Sequence, residues 1–441
     1  MPVSVAIVGS GPAGFYTADA LLKSDADVRI DIIERLPTPF GLIRDGVAPD
    51  HQTTKKISAK FGRTALRDEV RFYGNVKVGK DVGLAELRRI YDAVVLCVGA
   101  PLDRALHIPG EDKSGVYGSA AFVGWYNGHP DFRDLDPDLN TSAVAVVGVG
   151  NVAIDVARVL VKTKAEMAAS DLPEYADRVI RASPLTDVHV LGRRGPVEAK
   201  FTNVELREMG RLEDCVPVVD PAQLPEEVGD LPDRDLRLKE KNLATLREFA
   251  GRGSGEKAKR VHFRFYAAPV EILGGDRVEG LRLERTRIDG GRAVGSGEFF
   301  TIECGVVIAA IGYRAGPIEG APFDADRHIV PNADGRVDEG LYAAGWIMRG
   351  PTGVISSNRA DGVTVAERIR ADFPQGIKPG REAFDTLLGE RAVRHVSYAE
   401  WRKIDAAEVG NATPPAPRRK FVTIKEMLAV LEDAAARRSV G

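Results

Sequence analysis

Val3-Ser4-Val5-Ala6-Ile7-Val8-Gly9-Ser10-Gly11-Pro12-Ala13-Gly14 decides the fold of this 441-residue chain. The first six residues are almost continuously apolar and rich in valine and isoleucine, the composition of a parallel strand buried on both faces. The strand runs into a G-x-G-x-x-G, and an apolar helical stretch follows from Phe15 to Leu22. The glycines differ in what they allow. Gly9 makes the tight turn, Gly11 lets the backbone approach a pyrophosphate, and Gly14 lets the helix lie against the strand. Phosphates then rest on the unpaired N–H groups and positive dipole end of the helix. A second apolar strand, Val28 to Ile33, ends at Glu34. A carboxylate there accepts hydrogen bonds from ribose hydroxyls and repels a 2′-phosphate, so this unit is expected to hold FAD or NAD and not NADP.

The pattern recurs. Ala143 to Val147 is another buried strand, followed by Gly148-Val149-Gly150-Asn151-Val152-Ala153 and a helix from Ile154 to about Lys162. The next strand, Val188 to Leu191, ends in Gly192-Arg193-Arg194. Two guanidiniums stand where the first unit has an acid, and Arg clamps phosphate through paired, charge-assisted hydrogen bonds. The second unit is therefore expected to take NADP(H). One flavin and one exchanging nicotinamide in a single chain imply electron transfer.

Three further apolar strands end in glycine, at Tyr91–Gly99, Val306–Gly312 and Gly340–Gly345 with Trp346 following, and mark crossings between two domains. The expected fold class is α/β, with two Rossmann-like dinucleotide-binding domains. The NADP domain (104–311) is inserted into a discontinuous FAD domain (1–103 and 312–441). The segment from Asp214 to Lys259 is rich in proline and charge and reads as loops with an exposed helix. Pro414-Pro415-Ala416-Pro417 precedes an amphipathic helix near Ile424–Leu431.

A formal net charge of −3 gives no global attraction to nucleic acid or to an anionic membrane. Cys97, Cys215 and Cys304 form no Cys-x-x-Cys pair, which argues against a thioredoxin reductase-like dithiol mechanism and fits a reducing compartment. Three cysteines are one short of the four thiolates of an ordinary iron–sulfur cluster, and no metal site is expected. The first strand starts directly after Pro2 without a leader-like segment, and no run of 18 apolar residues occurs, so a cytoplasmic enzyme without a membrane span is expected.

With these motifs placed, the chain resembles the ferredoxin–NADP⁺ reductases of the adrenodoxin reductase type. The resemblance is carried by VGSGPAGFY at 8–16, PFGLIRDGVAPDH at 39–51, FVGWYNG at 122–128, GNVAIDVAR at 150–158, GRRGP at 192–196, FT at 201–202 with ELRE at 205–208, GWIMRGPTGVI at 345–355 and VSYAEWRKIDAAE at 396–408. It implies non-covalent FAD, hydride from NADPH, and single electrons passed to a ferredoxin. The implied FAD contacts are Ala13, Glu34, Leu42, Val78, Trp346, Gly353, Val354 and Ile355. The implied NADP contacts are Val149, Gly150, Asn151, Val152, Arg193, Arg194, Glu205 and Gly353, the last where nicotinamide and flavin meet. Two residues depart from the family pattern: Glu198 for a glutamine, close to the phosphate-reading arginines, and Met348 for a lysine, near the expected partner face.

His51, at the end of a loop the family aims toward the flavin, and Glu208, three residues after Glu205 on one helical face, are the expected catalytic pair. Hydride transfer between stacked rings does not require acid–base help, so they are expected to tune the rate. The partner is a small acidic carrier, and Arg237, Lys239, Lys241, Lys55 and Lys56 are candidates for a basic docking face. Two other functions share these features: an NADPH-dependent flavin monooxygenase, and a non-catalytic redox-sensing nucleotide-binding protein.

Overall fold

The computed structural model describes residues 1–24, 27–229, 232–253 and 256–439. One six-stranded sheet runs in the order Arg336–Asp338, Leu341–Ala343, Ala93–Leu96, Val3–Val8, Val28–Ile33, Val70–Tyr73. All neighbours are parallel except the first pair. Chain order reverses at Val3–Val8, which pairs with Val28–Ile33 on one side and Ala93–Leu96 on the other. The crevice beyond the carboxyl end of such a strand is where open α/β sheets bind ligands.

All six residues of Val3–Val8 are buried. Val5 and Ile7 face the helices Pro12–Leu22 and Asn358–Asp372, while Ala6 and Val8 face Leu84–Ile90 and Arg381–Glu390. Burying each large aliphatic side chain contributes about 1.5–3 kcal/mol, which is why a strand covered on both faces shows no alternation. The helices Pro12–Leu22 and Asn358–Asp372 cross at Gly362, where a Cβ would fall 2.7 Å from the backbone of Tyr16.

The second six-stranded sheet is wholly parallel, in the order Val116–Gly118, Val306–Ala309, Ala143–Val147, Asp187–Leu191, Lys259–Arg264, Cys215–Val219. Its chain order reverses at Ala143–Val147, directly before the second glycine motif. An antiparallel ribbon of Leu102–Asp103 with Tyr313–Arg314 joins the outgoing chain to the returning one. A three-stranded antiparallel sheet, Ala267–Leu273, Gly280–Asp289 and Arg292–Glu303, closes one face of the second sheet with Ile272, Leu281 and Leu283.

The segment from Asp214 to Lys259 differs from its sequence reading. Cys215–Val219 is an edge strand of the second sheet, and Asp233–Gly251 is a 19-residue helix that buries Leu243, Leu246 and Phe249. Pro217 obscures the strand in the sequence, but proline is tolerated at an edge, where its missing N–H faces away from the neighbouring strand. The final helix, Ile424–Ser439, sends Met427 and Leu431 into the first core. Among the described residues no helix is long and apolar enough to cross a membrane.

Candidate functional site: two glycine cradles and a buried charge cluster

In the first cradle Gly9 has φ +107°, and a Cβ there would lie 2.5 Å from the carbonyl oxygen of Cys97. A Cβ at Gly14 would lie 2.1 Å from the carbonyl oxygen of Gly9. Packing alone therefore requires these two glycines. A Cβ at Gly11 would meet nothing within 4 Å, because it projects into open space before the first turn of helix Pro12–Leu22, which has no side-chain cap. The unpaired N–H groups and open room suit a pyrophosphate.

Glu34 stands beside this loop. Its Oε2 accepts from Ser10 N at 3.0 Å and Ser10 Oγ at 2.7 Å, and its Oε1 accepts from Leu36 N at 3.2 Å. Val76 N donates to the Glu34 carbonyl at 2.9 Å, which places the half-buried Val78 near the same end. Phe40 N donates to Ser10 O at 3.0 Å, and Gly41 packs so tightly on Gly11 that a Cβ would sit 3.1 Å from its Cα. Leu42 follows, exposed, at the start of the short helix Leu42–Asp45. From the returning chain, Gly345 abuts Ala13, with a Cβ position 2.6 Å from the Ala13 methyl. Trp346 follows directly, packed against Tyr313, and its Nε1 donates to Thr352 O at 3.1 Å. Gly353, at φ +84°, and Val354 are exposed, and Ile355 is half-buried. The structure thus brings Ala13, Glu34 and Leu42 to one loop, with Trp346 next to the Gly345 that abuts Ala13.

The second cradle repeats the first. A Cβ at Gly148 would lie 2.2 Å from Ala310 O, while one at Gly150 would meet nothing within 4 Å, before the uncapped helix Asn151–Val161. Val149 O accepts from Lys200 N and Asn151 Oδ1 accepts from Thr202 N, both at 2.8 Å. These bonds tie the loop, including Val152, to helix Asn203–Met209, which carries Glu205 and Glu208. Arg193 is exposed and Arg194 half-buried. Their backbone carbonyls are held by Thr286 Oγ1 at 2.7 Å and Tyr266 N at 3.1 Å, and among the described residues neither guanidinium has an ion-pair partner. Glu198 packs near Gly195 and Tyr266 beside them.

A buried charge cluster lies where the two sheets' loops meet. His51 Nε2 is 3.1 Å from Glu208 Oε2 and 3.4 Å from Glu205 Oε2, and its Nδ1 is 3.9 Å from Asp155 Oδ1. Arg158, fully buried, organises the group. Its Nε and Nη2 donate to Asp50 at 2.8 and 3.1 Å, and its Nη1 donates to Glu205 Oε2 at 3.3 Å. Lys162 Nζ also donates to Asp50, at 2.8 Å. Asp155 Oδ1 lies 2.8 Å from Arg158 Nη2 but outside hydrogen-bonding geometry.

The electrostatics follow from these contacts. Burial works against the charged form of His51, but the hydrogen bond to Glu208 together with the nearby carboxylates of Asp155 and Asp50 holds the imidazole above its usual range. The same bond holds Glu208 below the usual carboxylate range. Burial disfavours the Asp50 carboxylate, yet Arg158 and Lys162 drive it well down. Burial raises Asp155 and Glu205. Asp50, Asp155, Arg158 and Lys162 were missed by sequence reasoning. Their signal is an i,i+3 Asp–Arg pair inside an otherwise apolar helix, a pair that must find partners when buried. His51, Glu205 and Glu208 each offer a ligand atom within 4.8 Å of the others, a spacing open to a metal. Arg158, 3.3 Å from Glu205 Oε2 and 3.7 Å from Glu208 Oε2, already supplies positive charge there.

Two expectations need correction. Lys55 is not a docking residue: it is buried, with Nζ 2.7 Å from Asp171 Oδ1. Lys239 is half-buried, its Nζ donating to Ala199 O on the segment that leads from Arg194 to Thr202. Met348, the other departure from the family pattern, is half-buried against the first core. Arg237, Lys241 and Lys56 are exposed as expected.

Residues 3–194 match the model of the pyridine nucleotide-disulphide oxidoreductases. The chain is 42% identical over 451 residues to the human mitochondrial NADPH:adrenodoxin oxidoreductase, covering 97% of this chain and 91% of that protein. It is 39% identical over 445 residues to NADPH-ferredoxin reductase FprA of Mycobacterium leprae, covering 97% and 98%. The solved structure of Mycobacterium tuberculosis FprA in complex with NADPH has a TM-score of 0.92 at 38% identity, covering 98% of this chain and 99% of that one. With this similarity running end to end through both cradles, the chain belongs to the adrenodoxin reductase-type family of ferredoxin–NADP⁺ reductases.

Proposed function

We propose that His51 and Glu208 tune hydride exchange between NADPH and FAD in a reductase whose two cradles divide the cofactors by ribose chemistry. The enzyme is an FAD- and NADP(H)-dependent oxidoreductase that serves ferredoxin-type iron–sulfur proteins. The observation that carries the division of roles is the contrast at the two strand ends, Glu34 in one and Arg193–Arg194 in the other. Bound FAD supplies the exchange between paired electrons from a nicotinamide and single electrons for an iron–sulfur cluster.

The chain's own residues bind and orient. Gly9, Gly11, Ala13 and Gly14 cradle the FAD pyrophosphate, and Glu34 takes its ribose hydroxyls. Leu42, Val78, Trp346, Val354 and Ile355 line the rest of that cofactor. Val149, Gly150, Asn151 and Val152 cradle the NADP pyrophosphate, Arg193 and Arg194 hold the 2′-phosphate, and Glu205 and Gly353 face the nicotinamide half. His51, shifted toward its protonated form by Glu208, sets Nε2 beside two carboxylates. That arrangement poises it to stabilise developing negative charge or to give up a proton, and general acid–base help of this kind changes rates without being essential to hydride transfer.

Domain limits at 103/104 and 311/312 accompany this reading, since the ribbon of Leu102–Asp103 with Tyr313–Arg314 spans both crossings. So does docking of an acidic ferredoxin on exposed Arg237 and Lys241. A cytoplasmic, reducing location fits three buried free thiols. The direct test supplies FAD-loaded protein with NADPH and oxidised ferredoxin while recording oxygen. Ferredoxin reduction with two carriers per NADPH supports the reading. Oxygen uptake stoichiometric with an organic substrate, or cofactor binding without turnover, would replace it with the monooxygenase or the sensor.

A further inference from the structure

A cleft of about 580 Å³ opens among helices Gln52–Lys55, Ser58–Ala65 and Tyr398–Gly410 and the tail segment 417–420; it shares Phe40 with the first cradle, and neither glycine motif lines it. Its floor is unusual. Lys55 and Lys420, each more than nine-tenths buried, share one carboxylate, Asp171. Lys55 Nζ donates to both Asp171 oxygens at 2.7 and 2.9 Å, and Lys420 Nζ lies 3.4 Å from Oδ2. Lys420 also donates to the carbonyls of Arg44 and Asn127 at 3.0 and 2.9 Å. Higher up, Arg44 and Arg418 divide Glu408 between them, and Arg418 reaches Asp405 at 2.6 Å. At the mouth Lys56, Arg63 and Arg402 are exposed, with no ion-pair partner among the described residues.

Charge does not balance here. Seven basic side chains line the cleft; Arg44, Lys55, Arg418 and Lys420 are matched in number by Asp45, Asp171, Asp405 and Glu408, so the excess of three cations sits on Lys56, Arg63 and Arg402 at the mouth. Pinning the tail to the body would take one carboxylate per lysine, yet Lys55 and Lys420 share Asp171 alone. Burial and the adjacent Lys420 instead pull Lys55 down to about 7, against the opposing pull of Asp171. A concave, partly dry site with excess positive charge focuses its field on anions.

We infer that this cleft binds a small phosphate ester or diphosphate, with the remaining N–H of Lys55 as donor at its floor, Lys420 adding charge behind it, and Lys56, Arg63 and Arg402 as donors at its mouth. A phosphate dianion matches the excess charge better than a single carboxylate, and guanidiniums and ammoniums are its usual donors. The volume falls in the range of small-ligand sites, and Phe40, Ile43, Leu66 and Tyr398 offer an apolar wall for an organic body.

The experiment titrates inorganic pyrophosphate into the FAD-loaded protein by calorimetry, at constant ionic strength and with saturating NADP⁺ so that Arg193 and Arg194 are already engaged. The expected result is saturable one-site binding that weakens about tenfold or more in R63Q/R402Q, by the loss of charge-assisted hydrogen bonds. Bleaching of that variant's flavin by NADPH reports that it is folded. No saturable binding by the parent protein, or equal affinity in R63Q/R402Q, would overturn the inference.

Discussion

In the first cradle the strand Val28–Ile33 ends in Glu34, whose carboxylate is tied down by Ser10 and Leu36. In the second, the strand Asp187–Leu191 ends in Arg193 and Arg194, whose guanidiniums meet no carboxylate among the described residues. The backbones are otherwise alike: each has a packing-locked first glycine, an open second glycine and an uncapped helix. In the proposed reading, two copies of one phosphate-binding device are separated in cofactor choice by the residues at one strand end. A pre-oriented acceptor suits hydroxyls, and unneutralised forked donors suit a phosphate.

The seam between the two regions should show the largest effect. Arg158 joins Asp50, from the loop beyond the first cradle, to Glu205, from the helix beyond the second, and it is fully buried. Arg158→Leu leaves several buried carboxylates without their cation and is expected to lower unfolding free energy by about 3–5 kcal/mol in a denaturant titration. A change within ~0.5 kcal/mol would mean that the two halves do not depend on this cluster.

Next is the contrast itself. R193Q/R194Q removes charge-assisted contacts of about 1.5–3 kcal/mol each, so kcat/KM for NADPH should fall about 100-fold or more while that for NADH stays level. Equal losses with both nucleotides would show that the arginines do not read the 2′-phosphate.

A smaller effect concerns pH. Because the hydrogen bond to Glu208 raises His51, its stabilising contribution is full below the unfolded value of about 6.5 and is lost as pH rises through the higher folded value. Glu208→Gln leaves burial unopposed by that bond, so the alkaline limb of NADPH-dependent flavin reduction should move to lower pH, with a modest loss of rate. An unmoved pH profile measured by stopped flow would remove Glu208 from this role.

The smallest effect is expected at the surface. R237Q/K241Q should slow ferredoxin reduction a few-fold at low salt and converge with the parent protein at high salt, as screening shortens the reach of exposed charges to about 10 Å at 0.1 M. Identical salt curves would move the docking face elsewhere.

Both strand–glycine–helix units and their contrasting strand ends were legible because they are local: period, glycine spacing and the residue at the end of a strand lie within residues 3–34 in the first unit and 143–194 in the second. Cys215–Val219 was not, since a five-residue edge strand carrying Pro217 has too little pattern to stand out. Lys55 reads locally as one of two adjacent surface lysines; only folding brings Asp171, 116 residues away, onto its Nζ. Arg158 is the same case. Its partners Asp50 and Glu205 come from different parts of the chain, and a single helix cannot reveal that a charge on its apolar face has been neutralised.

Anaerobic titration of the FAD-loaded protein with NADPH and, separately, with NADH tests the central claim most directly, with oxidised ferredoxin added at the end point. Bleaching of the flavin absorbance by NADPH far more efficiently than by NADH, with colour restored by ferredoxin, is the result this division of labour predicts. Equal bleaching by both nucleotides, or a flavin that ferredoxin leaves reduced, would contradict it.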